Sequence, residues 1–114
     1  MTTLYGINNC DTVKKARKWL DDNGKQYTFH DFRKDGITEQ QVQKWVAALG
    51  WETLINKRST TWKELDEPTR AALNDSTVIA VVVQHPTLIK RPLLESADHI
   101  GVGFKAADYQ TLFN

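Results

Sequence analysis

TTLYGINNCDTVKKARKWLDDN (residues 2–23) decides the fold, because its apolar period changes half-way along. Residues 2–7 are rich in Thr, Tyr and Ile and stop at Asn8-Asn9, a turn signal, which predicts a short strand. From Asp11 to Asn23, Val13, Ala16, Trp19 and Leu20 recur at helical spacing among Lys, Arg and Asp, and Gly24 supplies a C-terminal stop. QYTFHDF (residues 26–32) alternates again and predicts a second strand, parallel to the first across the helix. The first 32 residues therefore read as a βαβ unit.

Beyond it, Thr38 and Gln41 spell a capping box, with Ile37 and Val42 as its hydrophobic staple. Val42, Trp45, Val46 and Leu49 then form one helical stripe that ends at Gly50. Residues 51–74 break into ETLI, TWKEL and PTRAALN, read as small helices, with Pro68 suited to the first turn of the last. TVIAVVV (77–83) is a β-branched run that propensity alone assigns to a strand. PLLES (92–96) and HIGVGF (99–104), separated by Ala97-Asp98, predict a hairpin. Lys105 to Phe113 puts Ala106, Tyr109, Leu112 and Phe113 on one helical face.

The chain has 114 residues, 15 basic and 14 acidic side chains, and one cysteine. A chain of this length can bury roughly two thirds of its unfolded surface, so it folds without a disulfide or metal. One cysteine makes no intrachain disulfide, and His30, His85 and His99 are too scattered for the usual zinc spacing, so no metal is expected. A net charge of +1 gives no broad attraction for nucleic acid. No apolar run of about 18 residues and no leader-like start is present, which predicts a cytoplasmic protein without membrane association, its thiol kept reduced.

Cys10 falls at the predicted strand-to-helix turn. The first N–H groups of a helix and its partial positive charge favour a thiolate there, and Lys14, one turn on, adds a cation; Asp11 opposes them. The alternative is a buried, inert cysteine. Position 13 is Val, so Cys10-Asp11-Thr12-Val13 lacks the second thiol of a Cys-x-x-Cys pair, and any disulfide formed at Cys10 needs a thiol from another molecule. Glutathione is the obvious cytosolic candidate. Arg58 and Arg91 are suited to bidentate binding of oxyanions or carboxylates, although Asn56–Thr60 also reads as a solvated loop. Lys14, Lys15, Arg17 and Lys18 form a basic cluster, usually a solvated face on such a helix, which could also attract an acidic partner or glutathione carboxylates. The four tryptophans read as packing residues.

LYGINNCDTVKKARKWL, YTFHDFRKDGI, LINKRSTTWKEL, HPTLIKRPLL and VGFKAADYQTLF, in this order and spacing, resemble the arsenate reductase ArsC and Spx family, most closely its YffB-like branch. The resemblance covers essentially the whole chain. It implies an α/β, thioredoxin-like fold: a mixed four-stranded sheet flanked by helices, with a helical insertion between the second and third strands. The expected single domain has a thioredoxin-like part over about 1–33 and 88–114 and the insertion over about 37–86. The resemblance also implies helix rather than strand over about 76–84, ending before Pro86. At the site it implies nucleophilic Cys10 and cis Pro92; the expected site adds thiolate-stabilising Lys14 and anion or glutathione binding by Asn9, Thr12, Arg58, Arg91 and Pro92.

Two departures bear on activity. Arsenate reductases of this kind use three arginines around the cysteine; Arg58 and Arg91 match two, but residues 101–114 contain none, which weakens the case for arsenate. Spx regulators typically carry a Cys-x-x-Cys switch, which Val13 removes. The expectation is a cytoplasmic glutathione-dependent thiol reductase acting on an oxidised thiol or small oxyanion, with glutathione as cosubstrate and glutaredoxin as a further candidate partner. The alternatives are an RNA polymerase-binding regulator of the Spx kind and a true arsenate reductase.

Overall fold

The computed structural model describes residues 1–113. They divide into two compact units, Met1–Asp31 with Arg91 onward, and Phe32–Lys90. The first holds a four-stranded mixed sheet with strands β1 (Thr3–Gly6), β2 (Thr28–Asp31), β3 (Leu93–Ser96) and β4 (His99–Val102), in the order β2-β1-β3-β4. β1 runs parallel to β2, with Thr3 opposite Thr28 and Gly6 opposite Asp31. It runs antiparallel to β3, with Tyr5 opposite Leu93, and β3 and β4 form the expected hairpin.

Helix α1 (Asp11–Asp22) joins the parallel strands and buries Val13, Ala16 and Leu20, three of the four residues of its apolar stripe. Trp19, the fourth, is only partly buried, against an aromatic group from the last helix. That helix, α8 (Ala106–Leu112), buries Tyr109 with Leu4, Ala16, Leu20 and Leu94; Trp19, Tyr27, Phe29, Phe104, Leu112 and Phe113 close over them. Each fully buried leucine is worth about 1.5–3 kcal/mol over the same side chain in water. Ala106 is exposed, so the apolar face of α8 is carried by Tyr109, Leu112 and Phe113.

The second unit is helical: α2 (Phe32–Asp35), α3 (Glu39–Leu49), α4 (Trp51–Leu54), α5 (Thr60–Glu64), α6 (Glu67–Ala71) and α7 (Val78–Gln84), then a short 3-10 turn at Pro86–Leu88. The capping box is complete, since Thr38 Oγ1 accepts from the Gln41 N–H at 3.1 Å and Gln41 Oε1 accepts from the Thr38 N–H at 2.9 Å. Trp45 of α3 is fully buried, with Phe32 at 6.5 Å between ring centroids. Thus the βαβ unit, hairpin and insertion all form, while α2 takes over the end of the predicted second strand.

Residues 78–84 are helical, against the β-branched propensity of their sequence. Val78 and Val82, four apart, are both fully buried. Tertiary burial at that spacing outweighs the few tenths of a kcal/mol per residue that β-branching costs a helix. The helix is also prepared from outside: Asn74 Oδ1 accepts from the N–H groups of Ser76 and Thr77, and Thr77 Oγ1 accepts from the Asn74 N–H.

Candidate functional site

Because β1 is parallel to β2 and antiparallel to β3, the chain leaves β1 at the sheet end where it enters β3. Ile7, Asn8 and Asn9 carry it from Gly6 to Cys10, and Arg91-Pro92 stands immediately before Leu93. Continuing the register one step beyond Tyr5 and Leu93 sets Pro92 beside Gly6. The Arg91–Pro92 peptide bond is cis. Pro92 is buried, and its carbonyl accepts from the Gly103 N–H at 2.9 Å, which ties the exit of β4 to the same end.

Cys10 is the N-cap residue of α1, extended at φ −138° and ψ 123°. Its carbonyl accepts from the Lys14 N–H at 3.0 Å, while its partly exposed side chain makes no capping hydrogen bond. The residue thus stands at the helix terminus, where the first N–H groups of α1 have no partner within the helix. The helix can sit this low because position 6 has no side chain: a Cβ there would lie 2.7 Å from Val13 Cγ2. Val13, where a dithiol would have its second sulfur, is fully buried.

Asn9 is exposed in the turn, Thr12 is partly buried in the first turn of α1, and the Lys14 side chain is exposed. Arg91 is partly buried. The first unit therefore contains Asn9, Cys10, Thr12, Lys14, Arg91 and Pro92. Arg58 belongs to the second unit, in the loop before α5. Its backbone is set by that loop: the Arg58 N–H donates to Asn56 Oδ1 at 2.9 Å, and buried Ser59 caps α5 by accepting from the Trp62 N–H at 3.1 Å. The Arg58 side chain is exposed, as the solvated-loop reading has it. Among the described residues, no three His, Cys, Asp or Glu side chains come together as a metal site, and no helix is long and apolar enough to cross a membrane.

One residue of the basic cluster departs from a solvated face. Arg17 is partly buried, its Nε donates to the Tyr27 hydroxyl at 3.2 Å, and its Nη1 donates to Asn8 Oδ1 at 3.4 Å. Its guanidinium carbon lies 4.2 Å from the centroid of the Phe29 ring. Two of these partners come from β2 and the chain leading into it, more than nine residues away, so no local pattern announces them. Lys18 does behave as a surface residue; its Nζ meets Asp22 at 2.9 Å, and that hydrogen-bonded carboxylate raises the lysine pKa.

Relatives agree with this architecture. The ArsC family model matches residues 5–112. An uncharacterised protein of Haemophilus influenzae is 44% identical over 113 residues, 99% of each chain. The global transcriptional regulator Spx of Streptococcus pneumoniae is 24% identical over 106 residues, 91% of this chain and 79% of that one. The solved structure of a YffB protein superposes with a TM-score of 0.93 at 41% identity, covering 97% of each chain. An arsenate reductase from Vibrio cholerae shares the fold at a TM-score of 0.82 but only 17% identity, with 96% of this chain and 95% of that one covered. With its thioredoxin-like sheet, its cis Pro92 and a family match spanning nearly every residue, this chain belongs to the ArsC family.

Proposed function

We propose that this protein is a glutathione-dependent thiol reductase with Cys10 as its single nucleophile. The observation that carries the reading is the position of the chain's one cysteine, partly exposed at the N-terminus of α1. A thiolate there attacks the glutathione sulfur of a mixed disulfide between glutathione and an oxidised substrate thiol. A Cys10–glutathione disulfide forms, the substrate leaves as thiolate and takes a proton from water, and the substrate is reduced. A second glutathione thiolate then attacks the adduct, glutathione disulfide leaves, and the Cys10 thiolate returns. No second thiol of this chain can do this job, because Val13 stands where a resolving cysteine would be and Cys10 is the one cysteine.

Lys14 favours the thiolate from one turn up the helix. Asn9 and Thr12 supply polar groups around the turn, and Arg91, beside Pro92, is the arginine of this unit suited to an anionic substrate group. Glutaredoxin is the protein partner that would take over the second step in place of free glutathione. Mass spectrometry of Cys10 after exposure to glutathione disulfide tests the reading, on the wild type and on Cys10→Ser, Arg58→Ala and Arg91→Ala. The expected result is a single adduct on the wild type, none on Cys10→Ser, and slower formation in both arginine variants. A wild-type Cys10 that stays unmodified overturns it.

A regulatory reading is favoured by the Spx match alone. It expects RNA polymerase to be captured equally by the wild type and Cys10→Ser, with no glutathione-linked turnover. Glutaredoxin-coupled reduction of arsenate, lost in Arg91→Ala, would instead move the substrate to an oxyanion.

A further inference from the structure

Arg17 differs from the lysines of its cluster: its charged group is held by residues outside α1, whereas Lys18 is held only by Asp22 of the same helix. Counting from Cys10, Lys14 is four residues on, Arg17 seven and Lys18 eight, so these side chains climb one face of α1 from the cysteine. Together with Asn8, Asp21 and Asp22 they line an open hollow on the first unit. Long helical side chains lean toward the N-terminus, and the Arg17 guanidinium does so far enough to bond Asn8, two residues before Cys10. Two Cα steps span at most about 7.6 Å, so Arg17 is anchored to the turn that carries the nucleophile.

We propose that Arg17 is a specificity-determining residue, binding a carboxylate of the glutathionyl group whose sulfur Cys10 attacks. This inference rests on the reading of Cys10 as a glutathione-linked nucleophile. Three features of the guanidinium support it. It has five N–H groups, and the bonds to Tyr27 and Asn8 engage two of them, so three N–H groups remain for an incoming carboxylate. The Phe29 ring beneath it and the two hydrogen bonds fix its direction before a ligand arrives, which reduces the entropy that a flexible lysine would lose on binding. Glutathione carries its sulfur on the middle residue and a carboxylate at each end, on the order of 7–9 Å from the sulfur when extended, so a carboxylate lies out along the turn and helix face from a sulfur joined to Cys10.

The acidic residues of the hollow do not cancel this charge. Asp22 is engaged by Lys18 at 2.9 Å, and Asp21 lies one further turn from Cys10. Lys14 and Arg17 are therefore the cations nearest the cysteine end of the hollow, and an anionic ligand meets them first.

The test compares two disulfides on the purified full chain: glutathione disulfide, which carries carboxylates, and uncharged 2-hydroxyethyl disulfide. Rates of Cys10 adduct formation are measured for the wild type, Arg17→Met and Arg17→Lys. Methionine keeps apolar cover over Phe29 but removes the charge. Arg17→Met is expected to react about tenfold more slowly with glutathione disulfide, the effect of one charge-assisted hydrogen bond, and at the wild-type rate with the uncharged disulfide. Arg17→Lys should fall between the two, since it keeps the charge and loses the fork. Equal slowing with both reagents would assign Arg17 a structural role, and unchanged rates would assign it none; either overturns the inference while Cys10 remains the nucleophile. A wild-type Cys10 that reacts with neither disulfide would overturn the glutathione reading itself.

Discussion

The two units of this protein are ordered by different kinds of contact. In Phe32–Lys90 a series of side-chain hydrogen bonds joins residues two to five apart: Thr38 with Gln41, Ser59 with Trp62, Asp66 with Thr69, Asn74 with Thr77. In the first unit the ordering contacts are remote in sequence. β1 meets β3 across some ninety residues, Arg17 meets Tyr27 and Phe29, and Trp19 and Tyr109 pack edge to face at 5.6 Å. Arg58 and Arg17 differ accordingly. The loop fixes the backbone of Arg58 and leaves its side chain in solvent, whereas three residues from two distant parts of the chain fix the charged end of Arg17. Local bonds place a residue; remote ones aim it.

Substitutions of each kind probe that contrast. Leu94→Ala removes a fully buried side chain from the remote contacts of the first unit and should cost about 2–5 kcal/mol in urea unfolding. A cost below about 1 kcal/mol would mean that the sheet core does not organise this unit. Tyr109→Phe probes the same cluster with the opposite sign. Among the described residues the Tyr109 hydroxyl is buried without a hydrogen-bond partner, and burial pushes its pKa upward. Removing the oxygen should stabilise the protein by about 1–2 kcal/mol.

The same tyrosine gives a pH dependence. Below the ordinary tyrosine pKa of about 10 the hydroxyl is protonated in both folded and unfolded chains, and its contribution does not vary. Above that value the unfolded chain releases the proton and the buried group does not, so stability falls as pH rises. Melting temperatures between pH 9 and about 11 should therefore drop less in Tyr109→Phe than in the wild type. Thr38→Ala should give the smallest effect, about 1 kcal/mol, because it deletes one exposed cap from a helix that also buries Val42, Trp45 and Val46. A cost exceeding that of Leu94→Ala would reverse the contrast between the units.

Legibility in the sequence divides along the same line. Thr38, Gln41, Gly50 and Pro68 sit where helix starts and stops put them, since capping chemistry is complete within a few residues. The strand-to-helix turn at Cys10 is legible because two periodicities meet there. Residues 77–83 are not legible from propensity: their helix depends on what Val78 and Val82 pack against, and only the family resemblance supplies it. Arg17 is hidden for a related reason, since a lysine- and arginine-rich helix face looks solvated until Tyr27 and Phe29 are known to flank it. Arg58 is conspicuous in sequence, yet nothing local gives the direction of its guanidinium.

The narrow space between Gly6 and Val13 also sets the height of the nucleophile. Adding one methyl group at position 6 would put a carbon 2.7 Å from Val13 Cγ2, closer than packed carbons come. Either the Val13 side chain or the first turn of α1 would have to move, and a shift of that turn would carry Cys10 with it. Gly6→Ala is thus a way to retune the reactivity of the thiol from beneath, through a position that need never meet a substrate.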